Sequence, residues 1–116
     1  MTIQELIATN KFEIINEGTN LQRTLTEPYC CDLLSIAMGN APAGCAWCTV
    51  MGNMNTLAVA SLTEAGCVIL CGAVNIDENM KLKARSEGIT LLRTKDAIFP
   101  AALWIYQQLN HHEDIL

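Results

Sequence analysis

Short apolar segments alternate with helix-like segments through most of the chain. After residue 44, each apolar run is long enough for a buried strand but too short for a helix. Gly66 and Gly88 follow the first two helix-like segments and are predicted to end them. Strands are predicted at 46–51, 67–71 and 89–92, and helices at 57–65, 78–86 and 97–110. This order predicts right-handed crossover units around a parallel sheet.

The first 44 residues show a weaker pattern. Thr2 and Glu5 have the spacing of a capping box, and residues 12–15 resemble a short strand. Residues 23–31 are extended in character, and Pro28 among them indicates an edge strand, a bulge or a break. Asp32 can cap a short helix that follows. We therefore expect one α/β domain over residues 1–116, with three layers and a mostly parallel central sheet; the order of its first two strands stays open.

The composition supports a globular domain and argues against a nucleic-acid partner. Hydrophobic residues make up 51% of the 116 residues, charged residues 16%, and the formal net charge is −5. Lys81, Lys83 and Arg85 are the only three basic residues close together, and Glu78 and Glu87 flank them. Because a nucleic-acid binder needs a concentrated positive face, this group is better explained as a solvated helix face.

The location predicted from the sequence is the cytoplasm, with no membrane contact. No segment reaches the roughly 18 consecutive apolar residues of a membrane span. The first twelve residues lack a basic start followed by an apolar core, so we do not expect a secretory signal. In a reducing compartment the six cysteines should be thiols rather than disulfides.

The cysteines and histidines do not suggest catalysis, a metal or another cofactor. Cys45 and Cys48 have C-x-x-C spacing, but positions i and i+3 of a strand point to opposite faces, so the two thiolates cannot converge. We interpret the cysteines as small buried hydrophobes, with a metal or redox role as the minor alternative. His111 and His112 lie in a polar tail, which leaves the core without a catalytic base. The chain is therefore not expected to be an enzyme.

A ligand site is predicted beyond the carboxyl ends of the strands, where ligands of open parallel sheets bind. A helix N-terminus and an arginine could together hold a phosphate or a carboxylate there. The alternative is that the Gly and Asn residues are ordinary turn residues and that the arginine forms a surface ion pair. The candidate residues are Gly52, Asn53, Asn55, Thr56, Gly72, Arg93 and Thr94.

Four segments in order resemble the DRTGG domain family and the related N-terminal domain of HPr kinase/phosphorylase. They are DLLS (32–35), TVMGNMNTLAVA (49–60), VILCG (68–72) and GITLLRT (88–94). The resemblance implies an α/β domain, often dimeric and regulatory, that stands alone or is attached to kinase, phosphotransacetylase or CBS-containing pyrophosphatase chains. A P-loop is absent, so kinase activity is not implied. The string Asp-Arg-Thr-Gly-Gly is also absent, and Leu70-Cys71-Gly72 stands near its position.

Three functions follow as hypotheses, in this order. The first is a regulatory domain that binds a small anionic ligand, such as a nucleotide or another phosphorylated small molecule, and acts as a homodimer. The second is a ligand-free interaction module that acts in trans on a partner protein such as an enzyme, as the apolar last helix suggests. The third is an enzyme or metalloprotein that uses the thiols.

Overall fold

The computed structural model describes residues 1–110, which form five strands and five helices. The strands are β1 (Glu13–Asn16), β2 (Pro28–Cys30), β3 (Ala46–Thr49), β4 (Cys67–Leu70) and β5 (Leu91–Arg93). The helices are α1 (Ile3–Ala8), α2 (Leu34–Asn40), α3 (Met54–Thr63), α4 (Glu78–Glu87) and α5 (Ile98–Asn110). The histidine tail lies outside the described residues.

The strands form one sheet in the order β1-β5-β4-β3-β2. β2, β3, β4 and β5 are parallel, and β1 is antiparallel to β5. The prediction of a mostly parallel sheet is confirmed. The two strands whose order the sequence left open lie at opposite edges. Pro28 begins the edge strand β2, in agreement with the expectation that a proline cannot occupy a central ladder position.

Helices cover both faces of the sheet, so the predicted three-layer architecture is confirmed. Each step from β2 to β5 moves to the next strand in the same direction, and right-handed crossovers then place α2, α3 and α4 on one face. That face buries Trp47, Leu57 and Met80 together. The other face buries residues of α1 and α5, including Leu6 and Ile105, against the sheet.

Four of the six cysteines are buried, as the sequence interpretation expected, whereas Cys30 is exposed and Cys31 is half-buried. All six lie in the described part of the chain and are free thiols. Cys45 belongs to the α3 side of the core and Cys48 to the α5 side, which confirms that the C-x-x-C pair points to opposite faces. Within residues 1–110 no group of three or more His, Cys, Asp or Glu side chains could hold a metal ion.

Several helix ends agree with the sequence. Thr2 and Glu5 form the predicted capping box, with Glu5 N donating to Thr2 Oγ1 at 3.1 Å and Thr2 N donating to Glu5 Oε1 at 2.8 Å. Asp77 caps α4, and Gly88 ends it in the left-handed conformation. On α4, Lys83 pairs with Glu87, as expected for a solvated face. None of the helices within residues 1–110 could cross a membrane, since none is sufficiently long and apolar.

Three local predictions were wrong. α3 ends at Thr63, and its C-cap is Glu64, which takes the left-handed conformation. Gly66 lies beyond the cap and is required there because a Cβ would lie 2.9 Å from Gly44 O. Ile89 is not part of β5, because its N–H closes the end of α4 by donating to Ala84 O. Asp32 does not cap α2 and instead binds the end of β3.

Candidate functional site

The connections that leave β4 and β5 diverge to opposite faces of the sheet. The chain after β4 enters α4, on the same side as α2 and α3, whereas the chain after β5 enters α5 on the other side. Neighbouring parallel strands with diverging connections leave a crevice beyond their carboxyl ends. A cavity of about 250 Å³ lies there, lined by Glu13, Ala73, Asn75, Arg93, Thr94 and Lys95.

The floor of the crevice is held by hydrogen bonds between the two diverging loops. Gly72 N donates to Asp96 O at 2.7 Å, and Ala73 N donates to Thr94 O at 3.1 Å. Gly72 and Ala73 both have positive φ, of 80° and 57°. A left-handed alanine is uncommon and costs conformational energy, which the bond to Thr94 helps to offset. Both amides are occupied by protein, so a ligand would meet side chains rather than these backbone groups.

Arg93 is oriented by two partners at the cavity wall. Its Nε and Nη2 donate to the two carboxylate oxygens of Glu13, each at 3.0 Å, and Nη1 donates to Val74 O at 3.4 Å. The hydrogen bonds from Arg93 lower the pKa of Glu13, and the same bonds raise the pKa of Arg93. Arg93 thus forms a surface ion pair, which was the alternative to a ligand contact, and it also lines the cavity.

Lys95 supplies a positive charge without such a partner. It is exposed and forms no ion pair with any residue among 1–110, whereas nearby Lys11 pairs with Asp96 at 3.3 Å. Thr94 Oγ1 accepts a hydrogen bond from Asp96 N at 3.1 Å, which leaves its hydroxyl hydrogen able to donate. The cavity therefore offers two cationic groups, one hydroxyl donor and one carboxylate.

The predicted residues after β3 have a different local role. Asn53 Oδ1 accepts hydrogen bonds from Asn55 N at 2.9 Å and from Thr56 N at 3.3 Å, so it caps α3. Thr56 is buried, and its hydroxyl donates to Met51 O at 2.7 Å. An anion could reach those two amides only by displacing the Asn53 side chain. Their role as ligand contacts stays a prediction.

Gly52 connects this turn to the cavity. A Cβ at Gly52 would lie 3.2 Å from Asn75 O and 3.5 Å from Val74 Cγ2, so the turn after β3 packs tightly on the loop after β4. Of the seven predicted residues, Arg93 and Thr94 line the cavity, and Gly72 and Gly52 border its walls.

Four cavity residues were absent from the sequence prediction. Lys95 could have been found, because it continues the basic, polar segment that leaves β5. Asn75 and Ala73 lie in the loop after Gly72, but nothing in their identities marks them. Glu13 could not have been found, because its position opposite Arg93 depends on the antiparallel pairing of β1 with β5.

The buried thiols are poorly suited to nucleophilic chemistry. Burial raises the pKa of Cys67 to about 12 and that of Cys45 to about 11. A hydrogen bond with Cys71, together with burial, raises the pKa of Cys48, and the same hydrogen bond lowers the pKa of Cys71. Because the thiolate is the reactive form, Cys45, Cys48 and Cys67 act as packing groups at neutral pH.

Comparison with known proteins supports the fold. No family model matches the chain, and no curated protein matches its sequence. Among solved structures, this chain is similar to the regulatory region of Clostridium perfringens pyrophosphatase, with a TM-score of 0.74 and 14% sequence identity. That structure contains CBS and DRTGG domains in complex with the activator diadenosine tetraphosphate. The similarity covers 91% of this chain and 46% of that one, so this chain spans less than half of its length.

At this identity the similarity concerns the fold alone. It supports a DRTGG-like fold, the class that the sequence motifs also indicate, and the neighbour is a regulatory region rather than a catalytic one. The relation to HPr kinase/phosphorylase stays a prediction.

Proposed function

We propose that this chain is a non-catalytic regulatory domain of the cytoplasm that binds a small anionic ligand and acts as a homodimer. The ligand is a nucleotide or another phosphorylated small molecule, and it occupies the cavity at the carboxyl ends of β4 and β5. The observation that carries the proposal is the placement of Arg93 and Lys95 on one cavity, at the point where the two connections diverge.

The chemistry of the cavity suits a phosphate group next to a polar body. Lys95 has no ion-pair partner among residues 1–110 and can neutralise a phosphate oxygen, while the Thr94 hydroxyl can donate a second hydrogen bond. The carboxylate of Glu13 repels an anion but can accept hydrogen bonds from sugar hydroxyls. The similar pyrophosphatase region was solved with a nucleotide activator, diadenosine tetraphosphate, which supports this ligand class.

The ion pair between Glu13 and Arg93 predicts how the site responds to the ligand. A phosphate that approaches Arg93 competes with Glu13 for the same guanidinium N–H groups. Removing the carboxylate charge should therefore strengthen anion binding, whereas removing Arg93 or Lys95 should weaken it. Such opposite responses from adjacent residues are not expected if the cavity is only a surface groove.

Isothermal titration calorimetry with ATP and diadenosine tetraphosphate tests the proposal, with adenosine as the uncharged comparison. Loss of a charged hydrogen bond costs about 1.5–3 kcal/mol, so Lys95→Ala should weaken binding roughly 10- to 100-fold. Glu13→Gln should tighten it. Lys83→Ala is the matched control, because Lys83 lies on α4 outside this cavity, where it pairs with Glu87 at 3.0 Å, and should leave the affinity unchanged. Equal affinities for the wild type and Lys95→Ala would contradict the proposal.

A second candidate is a ligand-free interaction module that acts on a partner protein. The observation that favours it is the exposed apolar surface of α5, which includes Phe99. If neither nucleotide binds at millimolar concentration, this function takes the place of the first.

A further inference from the structure

A second cavity lies at the edge of the sheet opposite the candidate site. It has a volume of about 300 Å³ and lies where α3 and α4 end and where the chain enters β4 and β5. The turn between β1 and β2 forms its remaining wall. The cavity that Arg93 and Lys95 line shares no residue with it. Its lining includes Asn20, Arg23, Glu64 and Glu87.

The turn that carries Asn20 and Arg23 is fixed against the end of α4. Arg23 N donates to Asn20 O at 2.9 Å, which closes the turn, and Thr19 N donates to Gly88 O at 3.1 Å. A Cβ at Gly88 would lie 2.7 Å from Thr19 Oγ1, so the two segments are in close contact. This wall of the cavity is therefore held by the fold itself rather than by a ligand.

Two opposite charges line this cavity without pairing with each other. Arg23 is half-buried, and it forms no ion pair with any residue among 1–110. Glu64 has no ion-pair partner in the same range either, whereas Glu87 pairs with Lys83 at 3.0 Å. A ligand with a carboxylate and an ammonium group can satisfy Arg23 and Glu64 at once.

Glu64 stands where neither its charge nor its side chain favours the fold. It is the C-cap of α3 and takes the left-handed conformation, with a φ of 58°. Glycine is preferred at such a position because a Cβ costs conformational energy there. A negative charge at a helix C-terminus is also unfavourable, because it adds to the partial negative charge of the last carbonyl groups. The carboxylate is therefore expected to have a role other than folding stability.

Asn20 supplies an acceptor that lacks a donor. Its Oδ1 is buried and receives no hydrogen bond from any residue among 1–110. Buried acceptors in folded proteins are nearly always paired, so this atom marks an incomplete set of hydrogen bonds. A small rotation of the side chain turns the oxygen towards the cavity, where a ligand N–H can donate to it. Asn20, Glu64 and the C-terminal ends of α3 and α4 thus suit an ammonium group, while Arg23 suits a carboxylate.

We propose that this cavity binds a small amino acid zwitterion, whose carboxylate pairs with Arg23 and whose ammonium group is held by Glu64 and Asn20. A simple anion or cation would leave one of the two protein charges without a partner, which favours a ligand that carries both. The volume of about 300 Å³ falls at the lower end of the range for small-molecule pockets. The inference goes beyond the proposed function, because this ligand has no phosphate and its site lies at the other edge of the sheet.

Thermal unfolding of the full chain tests the proposal with the common L-α-amino acids, β-alanine and 4-aminobutyrate, each at about 20 mM. This concentration is about a hundredfold excess over a dissociation constant of about 0.2 mM, so a bound zwitterion should raise the melting temperature by several degrees. The N-acetyl derivative of the amino acid that binds lacks the ammonium group, and its amide lacks the carboxylate. Both derivatives should bind at least about tenfold more weakly.

Substitutions then assign the binding to this cavity. In calorimetric titrations with the same amino acid, Arg23→Gln and Glu64→Gln should each weaken binding about tenfold or more. Arg85→Gln and Glu27→Gln are the matched controls, because both side chains are exposed outside this cavity and should leave the affinity unchanged. Glu64→Gly separates binding from stability. It should raise the melting temperature of the ligand-free protein by a few degrees and still weaken binding at least as much as Glu64→Gln.

Three results would overturn the inference. They are no rise in melting temperature with any of the amino acids, a derivative that binds as tightly as its parent, and wild-type affinity in both Arg23→Gln and Glu64→Gln. Circular dichroism melting checks that each variant is folded, and the comparison of derivatives on the wild type keeps the test available if a variant does not fold. Because no probe contains a phosphate, failure of this inference is distinguishable from failure of the nucleotide site.

Discussion

Thr49→Val tests the link between β2 and the strand ends that form the site. Thr49 is fully buried at the end of β3. Its hydroxyl donates to Asp32 Oδ1 at 2.7 Å and accepts from Met51 N at 3.2 Å. The same Asp32 oxygen accepts from Val50 N at 2.9 Å. Valine keeps the shape of threonine, so the substitution removes the hydrogen bonds without leaving a cavity.

The expected loss of stability follows from these bonds. A hydrogen bond to a charged group contributes about 1.5–3 kcal/mol, and the Met51 amide would also lose its acceptor. Asp32 is exposed and can be rehydrated, which reduces the net effect. We expect Thr49→Val to lower the free energy of unfolding by about 2 kcal/mol, or the melting temperature by about 8 °C for a domain of this size.

Urea unfolding of the wild type, Thr49→Val, Asp32→Ala and the double variant measures this directly. Because the two residues share a bond, the double-mutant cycle should give a coupling energy of at least about 1 kcal/mol. Thr63→Val is the control, since the Thr63 hydroxyl donates only within α3, to Val59 O at 2.9 Å and to Ala60 O, and should change stability by less than about 0.5 kcal/mol. The reasoning is refuted if Thr49→Val is as mild as the control, or if the two substitutions are additive.

Three further predictions concern the thiols, the glycines and the first helix. Burial raises the pKa of Cys67 to about 12 and that of Cys45 to about 11, above the unfolded value of about 8.5. The stability that these two protonated thiols contribute is therefore complete below about pH 8.5. It is lost as the pH rises towards 11–12, by up to about 1.4 kcal/mol per pH unit for each thiol. In urea unfolding, Cys67→Ala should make this decline shallower, and an unchanged slope would count against it. Gly88→Ala should destabilise the protein by at least about 1 kcal/mol, since φ is 69° and a Cβ would lie 2.7 Å from a threonine oxygen. Gly39→Ala on α2 is the control and should be neutral or stabilising, because a Cβ there meets open space. Equal effects of the two substitutions on the free energy of unfolding would contradict both expectations. Thr2→Ala should cost about 1 kcal/mol through loss of the capping box, and an unchanged melting temperature would argue against that role.

The local parts of the fold could be read from the sequence because they depend on neighbouring residues. Periodicity predicted β3 and β4 as buried strands, and the capping-box spacing of Thr2 and Glu5 identified the start of α1. The errors arose where one residue type serves two purposes. Gly66 resembled a helix end but is required for close packing, and Asp32 resembled a cap but binds Thr49 across two strands.

The candidate site was predictable only in part, because some of its residues are placed by local position along the chain and others by contacts between distant segments. Arg93 and Thr94, which lie at and directly after the end of β5, could be placed at the carboxyl edge from the order of the elements. The sequence left Asn53 either as a ligand contact or as an ordinary turn residue, and the structure shows that its side chain occupies two amides of α3. Whether those residues contact a ligand stays a prediction.

The sequence by itself determined the number and type of the later elements and the opposite orientation of Cys45 and Cys48, because these depend on spacing along the chain. It also determined the absence of charge on α5, because that depends only on which residues the helix contains. Only the tertiary structure decided that β1 pairs with β5, that Glu13 meets Arg93, and that the connections after β4 and β5 diverge around one cavity. Glu13 and Arg93 are 80 residues apart in the chain. Their contact arises from the packing of whole strands and helices, which no local pattern encodes.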